Sequence, residues 1–178
     1  MFTFRGTTKL RTRLRIVASL DERPATTRLG DWYGNLLYFG RRQLVLCTSQ
    51  RSLLSVVLPA RGLGITLLSD LRQGLGTVLE RIGVERAAVL RELGEMDSMR
   101  HGKAVDRRVL GSMNDFALGL DYRLYAEPDE ALVDLALDLA ETPCSPLGFE
   151  SPIDVARRLL RAGASEQALG ADETRRVL

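Results

Sequence analysis

Three apolar segments of strand length lie in the first third of the chain, at residues 35–39, 43–48 and 52–58. Two short polar segments, 40–42 and 49–51, separate them, and their length suits hairpin turns. This succession of short apolar runs and turns predicts an antiparallel β-meander.

Two further segments predict strands outside these three runs. Residues 2–5 alternate apolar and polar side chains, which is typical of a half-buried strand. Residues 95–105 favour an extended strand that leads into a turn at Asp106. We therefore expect an N-terminal antiparallel β-meander of about four to five strands.

After residue 64 the apolar positions recur at three- and four-residue spacing, which is typical of amphipathic helices. Asp106 is a suitable N-cap, and Pro128 suits the first turn of a helix. The predicted helices cover residues 8–16, 67–82, 85–93, 106–124, 128–140 and 151–163. We predict one α+β domain over residues 1–163, in which the antiparallel meander packs against about four to five C-terminal helices. Residues 164–178 are expected to form a weakly ordered or helical tail.

Composition and motifs exclude several classes of protein. No apolar stretch approaches the roughly 18–20 residues of a transmembrane helix, and the N-terminus lacks the apolar core of a signal peptide. Cys47, Cys144 and the single histidine His101 do not form a metal-binding pattern or a disulfide framework. No phosphate-binding loop of the type GxxxxGK[ST] or GxGxxG is present. We expect a cytoplasmic protein that contacts no membrane and carries no metal and no cofactor.

Charge is unevenly distributed along the 178 residues, although the net formal charge is only +2. Residues 1–61 hold 11 basic and 3 acidic residues, which gives +8, whereas residues 126–178 hold 5 and 11, which gives −6. Of the 25 basic residues 23 are arginines, a bias that either a GC-rich genome or selection for guanidinium chemistry explains.

The basic N-terminal residues form a candidate patch for phosphates or for an acidic protein partner. Its members are Arg5, Lys9, Arg11, Arg13, Arg15, Arg41, Arg42 and Arg51. Three aromatic residues, Trp32, Tyr33 and Tyr38, lie nearby in the sequence and could stack on bases. The alternative is a solvated basic face that the acidic C-terminal third offsets.

The helix that begins near Asp106 carries a second candidate site. Opposite its apolar face it bears two strips of polar residues, in which a glycine leaves the helix backbone accessible. The charged and polar residues of this site are Lys103, Arg107, Arg108, Asn114 and Asp115. Either these residues form a binding surface, or the segment is a capped amphipathic helix with internal Arg–Asp pairs.

Two motifs resemble an uncharacterised bacterial family, a domain of unknown function. They are G-D-W-x-x-N-L at residues 30–36 and L-G-S-M-N-D at residues 110–115. The similarity covers most of the chain, including E-T-P-C at 141–144 and the Ser-Pro start of the last helix. The resemblance implies no established chemistry. It does group Trp32, Asn35, Arg107, Asn114 and Asp115 in one binding site or one structural network.

These observations leave competing functions open. The first is a non-catalytic interaction protein that binds nucleic acid or a partner protein through the basic N-terminal face, such as an antitoxin or an accessory protein of a mobile or defence locus. The alternative is a small metal-assisted nuclease or phosphotransfer enzyme centred on Lys103, Arg107, Asn114 and Asp115. A homodimer that forms through the apolar helix at residues 132–140 is a further expectation.

Overall fold

A five-stranded mixed β-sheet lies at the centre of the computed structural model, which describes residues 1–19 and 23–162. The strands are β1 (Phe2–Gly6), β2 (Trp32–Phe39), β3 (Arg42–Ser49), β4 (Ser55–Pro59) and β5 (Met99–Lys103), in the spatial order β4-β3-β2-β1-β5. Strands β2, β3 and β4 pair antiparallel, which is the meander that the apolar pattern predicts. Strand β1 lies between β2 and β5 and runs parallel to both.

Six helices cover this sheet within the described residues, and together they form the predicted α+β fold. They are α1 (Thr8–Leu14), α2 (Leu63–Arg81), α3 (Arg86–Glu95), α4 (Arg107–Ala126), α5 (Leu132–Glu141) and α6 (152–162). The Asp106 carboxylate accepts hydrogen bonds from the backbone N–H groups of Arg108 and Val109, at 2.9 and 3.4 Å. This geometry confirms Asp106 as the N-cap of α4.

Helix α5 begins at Leu132 and not at Pro128, so the predicted start is wrong. Residues 127–130 form a turn instead, in which the backbone N–H of Glu130 donates to the Glu127 carbonyl at 3.2 Å. The carboxylate of Glu130 accepts a hydrogen bond from Nε of Arg123 on α4, also at 3.2 Å. This contact holds Glu130 against α4, where it cannot occupy the first turn of α5.

Side chains alternate between two faces of the sheet, and helices pack on both. Gly34 and Val56 lie in one cross-strand row of the first face, which we call the α2 face. A Cβ atom on Gly74 of α2 would lie 2.6 Å from Val56 Cγ1, and one on Gly34 would lie 2.6 Å from Cδ2 of Leu10 in α1. Helices α1 and α2 therefore pack on this face.

Helix α4 packs on the opposite face, which we call the α4 face. Burial raises the pKa of Tyr33, which this face carries, and the charge of Asp106 at the start of α4 raises it further. Phe39 of the same face lines a groove together with Leu124 and Tyr125 of α4. Helix α5 packs along the edge strand β4 and contacts both α2 and α4.

Two sequence-based expectations concern the end of the chain. The predicted stop of the last helix at residue 163 and the predicted tail at 164–178 lie outside the described residues. Among the helices that the structure does describe, none has both the length and the apolar character needed to cross a membrane.

Candidate functional site

The short helix α1 is seated on the sheet by contacts of its first turn. Thr7 is its N-cap, and the threonine hydroxyl accepts a hydrogen bond from Leu10 N at 3.5 Å. The same hydroxyl donates to Oδ1 of Asn35 on β2 at 3.2 Å, which ties the cap to the sheet. Leu10 is the buried residue of the helix and packs over Gly34. Leu14 packs partly against the core and Arg11 is half-buried, whereas Lys9 and Arg13 are exposed.

The cationic side chains of α1 and one lysine of β5 lie on the same face of the sheet. A Cβ on Gly6 would lie 2.8 Å from Cγ of Arg11, so the stem of Arg11 covers Gly6. Lys103 is the cross-strand neighbour of Gly6 on the same face. We call the resulting cluster the α1 basic surface, and its members are Lys9, Arg11, Arg13, Arg15 and Lys103.

No ion pair neutralises the α1 basic surface within residues 1–19 and 23–162. Arg11 even has a buried Nε atom without a hydrogen-bond partner there. Five other arginines of the described chain face a carboxylate. These pairs join Arg5 to Asp31, Arg72 to Asp97, Arg81 to Asp134, Arg123 to Glu130 and Asp138, and Arg158 to Glu150.

One aromatic side chain extends the α1 basic surface towards the β2–β3 turn. The Lys9 Nζ atom lies 4.0 Å from the centre of the Tyr38 ring, a cation–π contact. Tyr38 is 48% exposed. Arg41 and Arg42 follow it in the turn, where Arg42 Nη1 donates to the Pro128 carbonyl at 2.7 Å.

The remaining two members of the predicted patch lie elsewhere. Arg5 is on the α4 face, since it is the cross-strand neighbour of Tyr33, and its Nε donates to Asp31 at 2.8 Å. Arg51 lies in the β3–β4 turn, at the opposite end of β3 from Arg42. The structure therefore brings Lys9, Arg11, Arg13 and Arg15 together and separates Arg5 and Arg51 from them.

Stacking of bases on Trp32 and Tyr33 is excluded, because both rings are buried in the core. Helices cover strand β2 on both faces. Trp32 is therefore buried on the α2 face, and Tyr33, the next residue, is buried on the α4 face. Of the three aromatic residues considered for stacking, only Tyr38 remains available.

The second candidate site is not brought together in one place. Lys103 projects from the α2 face, whereas Arg107, Asn114 and Asp115 are exposed on α4. Trp32 is buried on the α2 face, and Asn35 bonds to the cap of α1. Arg108 donates through Nη2 to the carbonyl of Gln50, which fixes the start of α4 to the β3–β4 turn.

The two motif segments of α4 and of the chain after α5 do meet in a groove of about 290 Å³. Ser112, Asp115 and Gly119 of α4 form one wall, and Cys144 and Phe149 belong to the other. Burial raises the pKa of the Cys144 thiol, and the charge of Asp115 raises it further. Both effects disfavour the thiolate, the form in which a cysteine is nucleophilic.

Phe149 has an unusual backbone conformation for an aromatic residue, with a φ of 66°, and its ring is exposed. Two hydrogen bonds close the loop around it: Phe149 N donates to the Cys144 carbonyl at 3.0 Å, and Cys144 N donates to the Glu150 carbonyl at 3.1 Å. Sequence reasoning did not single out Phe149 or Ser112. The sequence does contain one indication of this groove, because the motif segments 110–115 and 141–144 both contribute residues to it.

Within the described residues there is no group of three or more His, Cys, Asp or Glu side chains that could hold a metal ion. No curated protein and no solved structure matches the chain. The model of a family described as "Domain of unknown function (DUF6933)" matches residues 3–155, a range that includes both motifs and all of the sheet except Phe2, the first residue of β1. The chain therefore belongs to this family, Domain of unknown function (DUF6933).

Proposed function

We propose that the protein is a non-catalytic binding protein that holds nucleic acid on the α1 basic surface. The observation that carries the proposal is the absence of ion pairs at Lys9, Arg11, Arg13, Arg15 and Lys103 within the described chain. Guanidinium and ammonium groups without an ion-pair partner attract counterions and exchange them for phosphates on binding.

The dimensions of the surface suit a short stretch of backbone. Helix α1 has 7 residues, so it is about 10 Å long at 1.5 Å per residue. Duplex DNA carries one charge per about 1.7 Å of its axis, so roughly six phosphates lie within that length. If about four of them are contacted, the slope of log K against log salt is about −3.6 for a duplex. Tyr38 adds a ring on which an unpaired base can stack.

Fluorescence anisotropy with labelled 20-nucleotide probes tests the proposal. Single-stranded and double-stranded DNA and RNA are titrated with protein at several salt concentrations between about 25 and 200 mM, the range over which phosphate contacts weaken most. We expect binding at low salt that falls steeply as salt rises. In the variant Lys9→Gln/Arg13→Gln the slope becomes shallower by about two, because each lost phosphate contact removes about 0.9.

The matched control is Arg61→Gln/Arg86→Gln, which removes the same charge from two exposed positions outside the α1 basic surface. We expect it to bind like the wild type. No binding to any probe at the lowest salt contradicts the proposal. Equal loss of binding in both double variants contradicts the assignment to α1, because it shows that only net charge matters.

A further inference from the structure

The outer edge of strand β4 forms the floor of a groove of about 340 Å³, and helices α2 and α5 form its walls. We call it the β4 groove. Four consecutive residues of the strand, 56–59, line it. Consecutive side chains of a strand point to opposite faces of the sheet, so the groove meets β4 at its edge and not on one face. At such an edge the backbone has no neighbouring strand.

The hydrogen-bond register of β3 and β4 shows which backbone groups point out of this edge. Ala60 N donates to the Gln43 carbonyl at 3.0 Å. Hydrogen-bonded and non-hydrogen-bonded pairs alternate along an antiparallel ladder, so Leu58 is the next residue of β4 that bonds to β3. Val57 precedes it and therefore directs its N–H and its C=O away from β3, out of the sheet.

The backbone groups of Val57 are buried without a partner. Val57 is only 4% exposed, and no hydrogen bond satisfies its N–H or its C=O within residues 1–19 and 23–162. Buried backbone groups are nearly always paired. At the opposite edge of the sheet the chain pairs with itself, since Ser19 N donates to the carbonyl of His101 on β5 at 2.7 Å. The β4 edge therefore indicates a ligand that supplies one hydrogen-bond acceptor and one donor.

We propose that the β4 groove binds an extended peptide segment of a partner protein, which pairs with Val57 as an added strand of the sheet. A peptide residue next to the strand supplies both groups that Val57 lacks, because its backbone carries an acceptor and a donor. The C=O of Pro59 accepts one further hydrogen bond, but proline has no N–H to donate. The floor of the groove is about 10 Å long at 3.4 Å per residue, so it holds about three peptide residues.

The walls of the groove define the side chains of this peptide. Val78 of α2 and Val133 and Ala136 of α5 are apolar, which favours apolar side chains in the bound segment. Asp70 is the charged residue of the lining, and its carboxylate accepts a hydrogen bond from the Thr66 hydroxyl at 2.6 Å. It makes no ion pair within the described chain. A lysine or arginine beside the apolar residues of the peptide therefore complements the charge of the groove.

Amide NMR spectra of the isotope-labelled full chain test the inference. The probe is the blocked peptide acetyl-Lys-Val-Thr-Val-Lys-amide, titrated to about 2 mM because so small an interface binds weakly. We expect the Val57 amide signal to shift as peptide is added. Hydrogen exchange at this amide should also slow by at least about tenfold in the complex, because the amide gains an acceptor.

Two substitutions of Val57 separate its backbone from its side chain. Val57→Pro removes the outward N–H but no ladder hydrogen bond, and an edge position of this kind tolerates proline. It should bind the peptide about fivefold more weakly, the effect of one lost hydrogen bond, as measured at the signals of the other groove residues. Val57→Ile keeps both backbone groups and should bind like the wild type. Circular dichroism checks that both variants fold.

A further pair of variants leaves β4 unchanged. Thr77→Trp places a large ring at an exposed position on the wall of the groove and should block binding. Ile65→Trp places the same ring at a 99% exposed position of α2 outside the lining and should leave binding unchanged.

Three results overturn the inference. The first is that no groove signal shifts up to the highest peptide concentration. The second is that Val57→Pro or Thr77→Trp binds the peptide as well as the wild type. The third is that the Val57 amide of the free protein exchanges as slowly as the ladder-bonded amide of Leu58, because another part of the chain or a second copy then already fills the groove.

Discussion

Helices α1 and α4 lie on opposite faces of the same sheet and differ in how they are held there. Helix α1 has 7 residues and buries only Leu10, whereas α4 has 20 residues and buries six. The stability of α4 comes from its own apolar face. The position of α1 comes from the strand beneath it, through Gly34 and through the cap at Thr7. This contrast suggests that α1 is a display element, whereas α4 belongs to the core.

The largest expected effect comes from replacing Gly34, the residue of β2 over which α1 packs. In Gly34→Ala the new Cβ would lie 2.3 Å from Cζ of Phe4 and 2.6 Å from Cδ2 of Leu10. Both neighbours are fully packed in the core, so we expect a loss of about 2–3 kcal/mol in the free energy of unfolding. Urea denaturation followed by circular dichroism measures it. A variant as stable as the wild type would show that α1 does not depend on close approach to β2.

Removing the N-cap of α4 should lower the free energy of unfolding more than removing the N-cap of α1. Asp106→Ala removes an acceptor from two backbone N–H groups of α4 and should cost about 1–2 kcal/mol. Thr7→Ala removes the 3.5 Å cap bond and the 3.2 Å bond to Asn35 Oδ1, both long, and should cost about 0.5–1 kcal/mol. Thr7→Ala should nevertheless weaken nucleic-acid binding more, because it loosens the helix that carries the cations. Thermal denaturation and the anisotropy titration together check this crossed pattern. It is contradicted if the more destabilised variant also binds worse.

Some of this architecture is predictable from the sequence because it is local. The strands of the meander and the cap of α4 are encoded within a few residues of each other. The pairing of β1 with β5 joins residues 2–6 to residues 99–103, and no local pattern specifies such a partner. The antiparallel pattern therefore predicts β2, β3 and β4 but gives no information on the parallel placement of β1 between β2 and β5.

The same limit applies to the candidate site. The basic residues are visible in the sequence, but whether each has a carboxylate partner depends on the tertiary fold. Arg5 is paired with Asp31, which is 26 residues away, whereas Arg13 has no ion-pair partner in the described chain. Pairing distinguishes a structural arginine from an available one, and only the fold shows it.

Gly111→Ala is the matched partner of Gly34→Ala, and its effect should be smaller and of opposite sign. The added methyl group meets nothing within 4 Å, and alanine favours the helix, so stability should rise by about 1 kcal/mol. Urea denaturation followed by circular dichroism measures the change. A variant that is less stable than the wild type would show that the space at Gly111 is not open to a methyl group.

The smallest effect on stability, and the most selective effect on function, should come from a single cation of α1. Arg13 is exposed and makes no ion pair within the described residues, so Arg13→Gln should change the free energy of unfolding by less than about 0.5 kcal/mol. The salt slope of nucleic-acid binding should fall by about one, because one phosphate contact is lost. Arg72→Gln removes a half-buried arginine that pairs with the exposed Asp97 at 3.4 Å. It should leave the slope unchanged while costing at most about 1 kcal/mol, the range measured for exposed pairs. Equal lowering of the salt slope by both variants would contradict this prediction. It would show that α1 contributes to binding only through the net charge of the protein, and not because its arginines lack ion-pair partners.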